Sequence, residues 1–565
     1  MQAKILLLGH LKLKIFSMAK KIVTIDSIYG GISPSSVLGP EGFYLSGYAI
    51  DPFFPSVAVT NYRKYDKLLR PGQPYTKFTG TEITALLKHI VLPHTRINNL
   101  WFLYITEAKI HLSNNVFTMQ TADDANTPNT FPRSVPDCGR GAKFYDPGGT
   151  STDTDYVFYK NGTQIGTYGP TGVAASLDFQ DNWKTGLYNG VSPMYWHLWD
   201  NYLYIGNGTA GAGTIDALKG NTSSSWATTP ATGEYESTVL RLPKGFIITD
   251  IDSWGSKLLI SGSQTNTAVE DTSKRGIAGV FVWDTLSPFW DKFIPYPDAE
   301  VTAIQKVNGI PYVFSGGVDT RLSILYPDAG TYQDVAFLPN IKPPYEGSTD
   351  AFGEWLVWAP TGTKEIIQDP ELSEVDTRAG IFAYGRLHPT FSKGVHCIAR
   401  APIVAADDGA TAQVSGVAFI EQQTSLTYPR VVFGFEDGAG TPTYGAARGA
   451  AAAFRSVYRS PKITYRTDDG QVKPFKINWI RYQFAQAVSS STSTIAPKLH
   501  LDSLSSSETL AVINNTNYAA ATVVRQFPES KFTTDAVLEL LWGSTNTAAL
   551  EIILPITMEI ESLDD

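Results

Sequence analysis

Hydrophobic residues in this chain recur with a period of two over short runs, and between Phe246 and Phe337 one arrangement of such runs is written twice in succession. In the first copy Ile248-Thr249-Asp250-Ile251 leads to a turn at Trp254-Gly255-Ser256, then to Leu258-Leu259-Ile260-Ser261-Gly262 and to Val280-Phe281-Val282-Trp283-Asp284. In the second, Val301-Thr302-Ala303-Ile304 leads to a turn at Asn308-Gly309, then to Tyr312-Val313-Phe314-Ser315-Gly316 and to Leu322-Ser323-Ile324-Leu325-Tyr326. Each copy predicts three or four short antiparallel strands joined by Gly-containing turns. A sheet of that kind cannot bury both faces by itself and must stack on its neighbours.

A unit of roughly 40 to 60 residues with about four strands fits a β-propeller, in which each blade covers the face of the next and the ring closes on itself. Degenerate copies extend the pattern upstream through Tyr195–Gly206, Tyr156–Tyr168 and Ile83–Ile105, and downstream through Gly353–Tyr384 and Gly416–Gly434. That predicts about seven blades over residues 76–440. Beyond Gly438 the repeat stops, and a small-residue bridge through Ala450-Ala451-Ala452-Ala453 leads into a different β pattern. Its predicted strands are Lys462–Tyr465, Phe475–Tyr482, Lys498–Leu501, Leu510–Ile513, Thr522–Arg525, Val537–Trp542 and Ile552–Ile560. Pro555 predicts either an edge position or a bulge for the last of them. The fold class is therefore all-β, a β-propeller followed by a jelly-roll-like β-sandwich over residues 441–565. Residues 1–75 form an extended arm too poor in periodic apolar sequence to make a core. Such an arm lies across a partner, or packs as a tail on its own domain, or donates a strand that closes the ring.

Composition sharpens this picture. Aromatic residues make up 12% of the 565-residue chain, with 48 Gly and 34 Pro against 18% charged residues, which favours strands and turns over helices. A net charge of −9 leaves no basic stripe for neutralising phosphates, although it permits an acidic channel through which DNA slides. Cys138 and Cys397, far apart, fit a reduced assembly compartment and read as buried small hydrophobes. No apolar run approaches the roughly 18 residues of a membrane span. Lys12 and Lys14 interrupt the apolar stretch before Met18, so the expected start is Met18, with residues 1–17 a start-site extension rather than a secretory signal.

Gly30-Gly31-Ile32-Ser33-Pro34-Ser35, followed by Gly39 and Gly42, then by a repeat-bearing region and a terminal sandwich, resembles the virion proteins of tailed bacteriophages that carry a β-propeller in the tail. The resemblance implies a structural role in a tail nozzle, hub or tip, with other virion tail proteins and further copies of the chain as partners. It implies assembly in the host cytoplasm, location in the virion tail, and contact with a host surface glycan or receptor. It carries no catalytic residue with it.

Candidate chemistry is sparse. Asp250 and Asp252 share one face of a predicted strand and could form the carboxylate pair of a glycosidase, but neighbours on one strand flank a scissile bond poorly. His197, among Tyr195, Trp196 and Trp199, reads as a histidine satisfied within its blade. His89 and His94 have no cysteine beside them to complete a zinc site. His396-Cys397 invites a nucleophile reading that its apolar neighbours oppose. Gly206-Asn207-Gly208 reads as a turn without the helix a phosphate site needs. Long excursions are predicted at Thr121–Gly149, Ala268–Arg275 and Glu365–Arg378. The last carries Glu365, Asp369, Glu371, Glu374 and Asp376 without the spacing of a calcium loop, so it reads as a solvated acidic loop. The expectation is a chain without catalytic, cofactor or metal residues, a structural component of a phage tail. A carbohydrate-binding adhesin or a carbohydrate-active propeller enzyme is the alternative.

Overall fold

The structure, a computed structural model, describes residues 18–28, 30–33, 43–44, 46–48, 68–69, 76–77, 90–94, 101–105, 110–113, 119–121, 142–145, 155–161, 163–170, 177–187, 193–209, 212–219, 235–264, 276–317, 319–339, 341–344, 348–360, 380–386, 392–400, 413–420, 430–436, 444–448, 456–489, 493–503, 506–529, 531–544 and 550–563. Among the described residues every regular element is a strand and none is a helix.

Seven four-stranded antiparallel sheets follow one another along the described chain. Sheets 1 and 2 span residues 90–121 and 142–185. Sheet 3 is built from Met194–His197, Tyr202–Thr209, Ala212–Lys219 and Tyr235–Arg241. Sheet 4 is Phe246–Trp254, Lys257–Gln264, Ala278–Trp283 and Lys292–Tyr296; sheet 5 is Glu300–Val307, Ile310–Gly316, Thr320–Tyr326 and Thr331–Leu338. Sheet 6 runs from Thr349–Phe352 through Trp355–Trp358 and Gly380–Gly385 to Gly394–Arg400. Sheet 7 takes three strands from its own region, Gln413–Ile420, Arg430–Glu436 and Tyr444–Arg448, and its fourth from Thr76–Lys77, with Ala447 opposite Lys77. The first strand of each sheet lies against the first strand of the next. Gln413–Ile420 of sheet 7 in turn lies against Ile90–His94 of sheet 1, so the contacts form a closed cycle.

The two sequence copies are sheets 4 and 5, and their packing explains the apolar runs. Leu258 and Ile260 point into a cluster shared with Tyr204 and Ile215 of sheet 3, while Leu259 between them points into a cluster with Val301, Ile304 and Val313 of sheet 5. A strand covered on both faces is apolar at consecutive positions, not at alternate ones. The cluster between sheets 5 and 6 holds Tyr312, Phe314, Leu356, Trp358 and Phe382. Asn308 and Gly309, both at positive φ (49° and 80°), make the tight hairpin turn that an Asn-Gly pair suits best.

Two larger sheets follow, beside two short pairs, Gly31–Ile32 with Phe43–Tyr44 and Tyr465–Arg466 with Val472–Lys473. Sheet 8 has the order Met18–Ile25, Ile552–Leu563, Phe475–Phe484, Val523–Gln526, with Leu68–Leu69 also pairing with the strand from Ile552. Sheet 9 has the order Ser507–Thr509, Ser493–Leu501, Ala536–Ser544, Ser456–Arg459, Ser46–Tyr48. Both contribute to one core, which includes Ile25, Ile480, Tyr482, Leu499, Leu538, Trp542, Met558 and Ile560. The opposite face of sheet 9 turns Val457 and Leu541 toward the cluster between sheets 5 and 6.

Several details differ from the sequence-based expectations. Of the two outcomes expected at Pro555, the irregular register is found and the edge is not: Ile552–Leu563 is central, and Pro555 falls in the gap between Ile556, paired with Ile25, and Ile553, paired with Leu68. The register on the other side is irregular there, between Arg481 and Gln483. Leu510–Ile513 is no strand; it is joined to Ser493–Leu501 by the isolated bridge Ile495 to Ile513 and by the Leu510 amide donating to the Pro497 carbonyl at 3.0 Å. Gly206-Asn207-Gly208 lies inside the strand Tyr202–Thr209, not in a turn, and a Cβ at Gly206 would come within 2.8 Å of the Pro193 ring. The described pieces of the arm are strands of the chain's own sheets. Its Gly-Gly pair packs backbone to backbone on sheet 6: a Cβ at Gly31 would lie 2.6 Å from the Val395 amide nitrogen. The excursions at 268–275 and 365–378 lie outside the described residues, as do Cys138 and His89. Of the excursion at 121–149, only Thr121 and Ala142–Tyr145 are described.

Candidate functional site

The first strands of sheets 3, 4 and 5 lie side by side, and they bring together the polar residues on which chemistry could rest. In sheet 4 the register shifts between Ile248 and Asp250, and beyond that irregularity Asp250 and Asp252 are both buried. Asp250 Oδ1 accepts the Ile251 amide at 2.8 Å and Oδ2 accepts the Ile304 amide of sheet 5 at 2.7 Å. Asp252 repeats the arrangement two residues on, with Ser253 N at 2.6 Å and Lys306 N at 2.8 Å. Each carboxylate therefore ties its own strand to alternate residues of the neighbouring first strand. Buried carboxylates persist when such donors surround them.

Beside this pair, Lys306 Nζ lies 2.6 Å from Ser253 Oγ, 3.4 Å from Tyr195 Oη and 3.8 Å from Asp252 Oδ1, while Tyr195 Oη and Ser253 Oγ are 2.6 Å apart. Burial, reinforced by the Asp252 carboxylate, pushes the Tyr195 hydroxyl above the usual tyrosine range. A serine, a lysine and a tyrosine in mutual contact are the components of a nucleophilic site. Here the ammonium, with three donors and no acceptor, faces three acceptors on two sheets, so the cluster knots sheets 3, 4 and 5 together. The same position is polar in the next two sheets when the units are aligned on their turns. Gln305 accepts the Thr349 hydroxyl of sheet 6 at 3.2 Å, and Asp350 Oδ1 accepts the Ala351 amide at 2.8 Å.

The remaining candidates are placed as follows. His197 is buried, with Nδ1 3.0 Å from Asp200 Oδ1 but out of line for a well-formed hydrogen bond, and its ring is flanked by Tyr195 and Tyr204. Burial works to raise the Asp200 carboxyl, yet the adjacent His197 ring and the Tyr204 hydrogen bond outweigh it and hold the group below the usual range. His396 and Cys397 are both fully buried in sheet 6, where burial pushes the imidazole down to about 3. His94 lies in sheet 1. Among the described residues no three His, Cys, Asp or Glu side chains gather as a metal site would require, and no helix is long and apolar enough to cross a membrane.

The polar residues that sequence reasoning missed are Ser253, Lys306 and Tyr195. A signal existed: Asp252, Gln305 and Asp350 stand at the same place before the first hairpin turn of three successive units.

No protein-family model matches the chain, and no curated protein matches it. Among solved structures, the computationally designed Ika8 protein aligns with a TM-score of 0.31 and 12% identity over 66% of this chain and 99% of its own. A bifunctional GH43-CE protein from Bacteroides eggerthii aligns with a TM-score of 0.27 and 8% identity over 87% of this chain and 64% of its own. Likenesses this distant carry no argument about fold or function.

Proposed function

We propose that this chain is a structural component of a tailed-phage virion, forming part of the tail as a nozzle, hub or tip protein and contributing to host attachment. Its architecture in this reading is a seven-bladed β-propeller over residues 76–440 and a jelly-roll-like β-sandwich over residues 441–565, tied together by the arm of residues 1–75. The observation that carries the reading is the cycle of stacked sheets whose last member takes its fourth strand from Thr76–Lys77, because closing a ring with a strand from the other end of the repeat is how a propeller protects its edges. The first-strand polar residues are engaged in holding sheets to one another, which suits a protein that bears load. The chain works without a cofactor, beside other tail proteins and further copies of itself, and it meets a glycan or receptor at the host surface. The acidic balance suits an assembly through which DNA passes without being gripped.

The test is to raise antibodies against the purified chain and locate them on intact particles by immunogold electron microscopy. Labelling at the tail is the expected result; labelling of the head, or none on particles that contain the gene product elsewhere in the lysate, would overturn the reading. Release of reducing sugar from host polysaccharide by the purified chain would favour the carbohydrate-active alternative.

A further inference from the structure

Sheets 3 and 4 carry an apolar surface at the end where their first and third strands turn back. Leu198 and Trp199, in the first turn of sheet 3, are 84% and 77% exposed; Leu286 and Phe289, in the last turn of sheet 4, are 88% and 72% exposed. The two turns are neighbours, the Thr285 side chain of the second being among the polar groups that hold the Asp200 carboxyl of the first below its ordinary range. They are also held rigid. Asp284 Oδ1 accepts the amides of Leu286 and Ser287, Trp283 Nε1 donates to the Ser287 carbonyl at 2.6 Å, and Thr285 is held at φ 67°, a conformation a β-branched residue rarely adopts. A turn whose backbone is already fixed loses little backbone freedom when its exposed apolar side chains meet a partner. The four side chains expose on the order of 600 Å², taking roughly 150 to 250 Å² for an aromatic one. That is near the roughly 800 Å² each partner contributes to a stable interface, and at the upper end for an exposed patch on a monomer.

The border of this patch is acidic. Asp291 pairs with Lys257 at 2.9 Å, and Asp284 and Asp328 gather around the same ammonium. Lys292 is turned away onto the carbonyls of Pro327 and Asp328.

A surface of opposite character lies on sheet 8. Arg481 and Arg525 are register partners on adjacent strands, both exposed, with no carboxylate at ion-pair distance among the described residues. Two like charges directly opposite one another destabilise a sheet, so their placement calls for an anionic counterpart. Arg525 lies over the Trp479 ring at 4.5 Å, and Val523 and Phe527, on the same edge strand and just beyond it, are 43% and 70% exposed. This is an apolar surface studded with guanidinium groups.

We infer that the acidic apolar tips of sheets 3 and 4 dock on the Arg481–Arg525 surface of a second copy of this chain, head to tail. Such an interface uses two different patches, so each copy keeps one free and the contact propagates into a ring or a filament. Charge complementarity selects this arrangement over face-to-face pairing of two acidic tips, and over an anionic lipid surface. The inference rests on the tail-component reading above, giving its further copies a contact, but is tested on the purified chain. A chain absent from virions would leave it standing, and a monomeric chain found in virions would sink it alone.

Sedimentation velocity over a dilution series, at low and high salt, provides the test. The wild-type chain is expected to form species beyond the monomer, weakened at least tenfold by high salt. Leu286→Ser with Phe289→Ser on one chain, and Arg481→Glu with Arg525→Glu on another, are each expected to abolish association by themselves. Mixed, they should give a 1:1 dimer that grows no further, because each brings one intact face. Leu198→Ser with Trp199→Ser, and Val523→Ser with Phe527→Ser, repeat the pair of tests should either first variant misfold by circular dichroism. A monomeric wild type overturns the proposal, as does continued self-association of the arginine variant, which would mean tip-to-tip pairing. Monomeric wild type whose glycan binding is lost with Trp199→Ser would make the tips a carbohydrate platform instead.

Discussion

Asp250 and Asp252 each hold two backbone amides, one on their own strand and one on the next sheet. An Asp250→Ala change leaves the Ile304 amide buried without its charged acceptor, and is expected to cost about 2 to 3 kcal/mol in urea unfolding. A cost below roughly half a kcal/mol would mean that the contact between the sheets is weak. Trp283 and Trp254, both within the first copy of the repeat, differ in the structure. Trp283 is buried against Tyr204 edge-on at 5.5 Å, whereas Trp254 is half-buried. Trp283→Ala is therefore expected to cost about 3 to 5 kcal/mol and Trp254→Ala about 1 to 2, read from the same titration. The residue types at the candidate site were legible because Asp250 and Asp252 interrupt an apolar run. Their role was not, because it is set by amides of Ile304 and Lys306, which only the stacking of sheets brings near.

At the scale of elements, legibility followed burial. Sheets 4 and 5 were readable because both faces of each are covered, giving apolar runs that turn chemistry then punctuates at Gly255 and at Asn308-Gly309. The arm was not readable. Apart from Met18–Ile25, its strands are two or three residues long, and some, such as Ser46–Tyr48 and Leu68–Leu69, take their meaning from partners hundreds of residues away. Leu510–Ile513 misled in the other direction: its apolar residues face the core, Leu510 and Ile513 both being buried, without a ladder to join. Gly30-Gly31, the one short motif behind the phage resemblance, has a local role in the fold as well. Gly31 sits at φ +79° with Val395 backbone atoms where a Cβ would go, so Gly31→Ala is expected to destabilise by about 2 to 4 kcal/mol. An unchanged thermal midpoint would show that the arm does not pack on sheet 6 in solution.

For the whole molecule, the joint between sheet 9 and the stacked sheets carries a charge network. Arg459 Nε is 2.6 Å and His500 Nε2 3.3 Å from Glu539 Oε2, on the face of sheet 9 that also bears Val457 and Leu541. Burial works to raise the Glu539 carboxyl, but the His500 hydrogen bond and the Arg459 guanidinium outweigh it and hold the group at about 2. A carboxyl depressed on folding stabilises the protein fully above its ordinary value of 4.5, and the contribution fades as pH falls toward 2. Acid titration should thus remove on the order of 2 kcal/mol across that window, and Glu539→Gln should flatten this part of the profile while lowering stability at neutral pH. An unchanged slope would place the acid sensitivity elsewhere. Removing residues 1–70 takes away the strand that runs beside Ile552–Leu563, together with Ile25 of the core, so a calorimetric scan should show the transition of sheets 8 and 9 at lower temperature. The pairing of Lys77 with Ala447, and of Met18 with Leu563, also bears on how the protein is made. At roughly 5 to 20 residues per second, a ribosome needs on the order of 20 to 70 seconds to travel from one member of the first pair to the other. For that time Thr76–Lys77 waits for its partner strand, and Met18–Ile25 waits longer still, so these early strands stay unpaired until the late ones emerge.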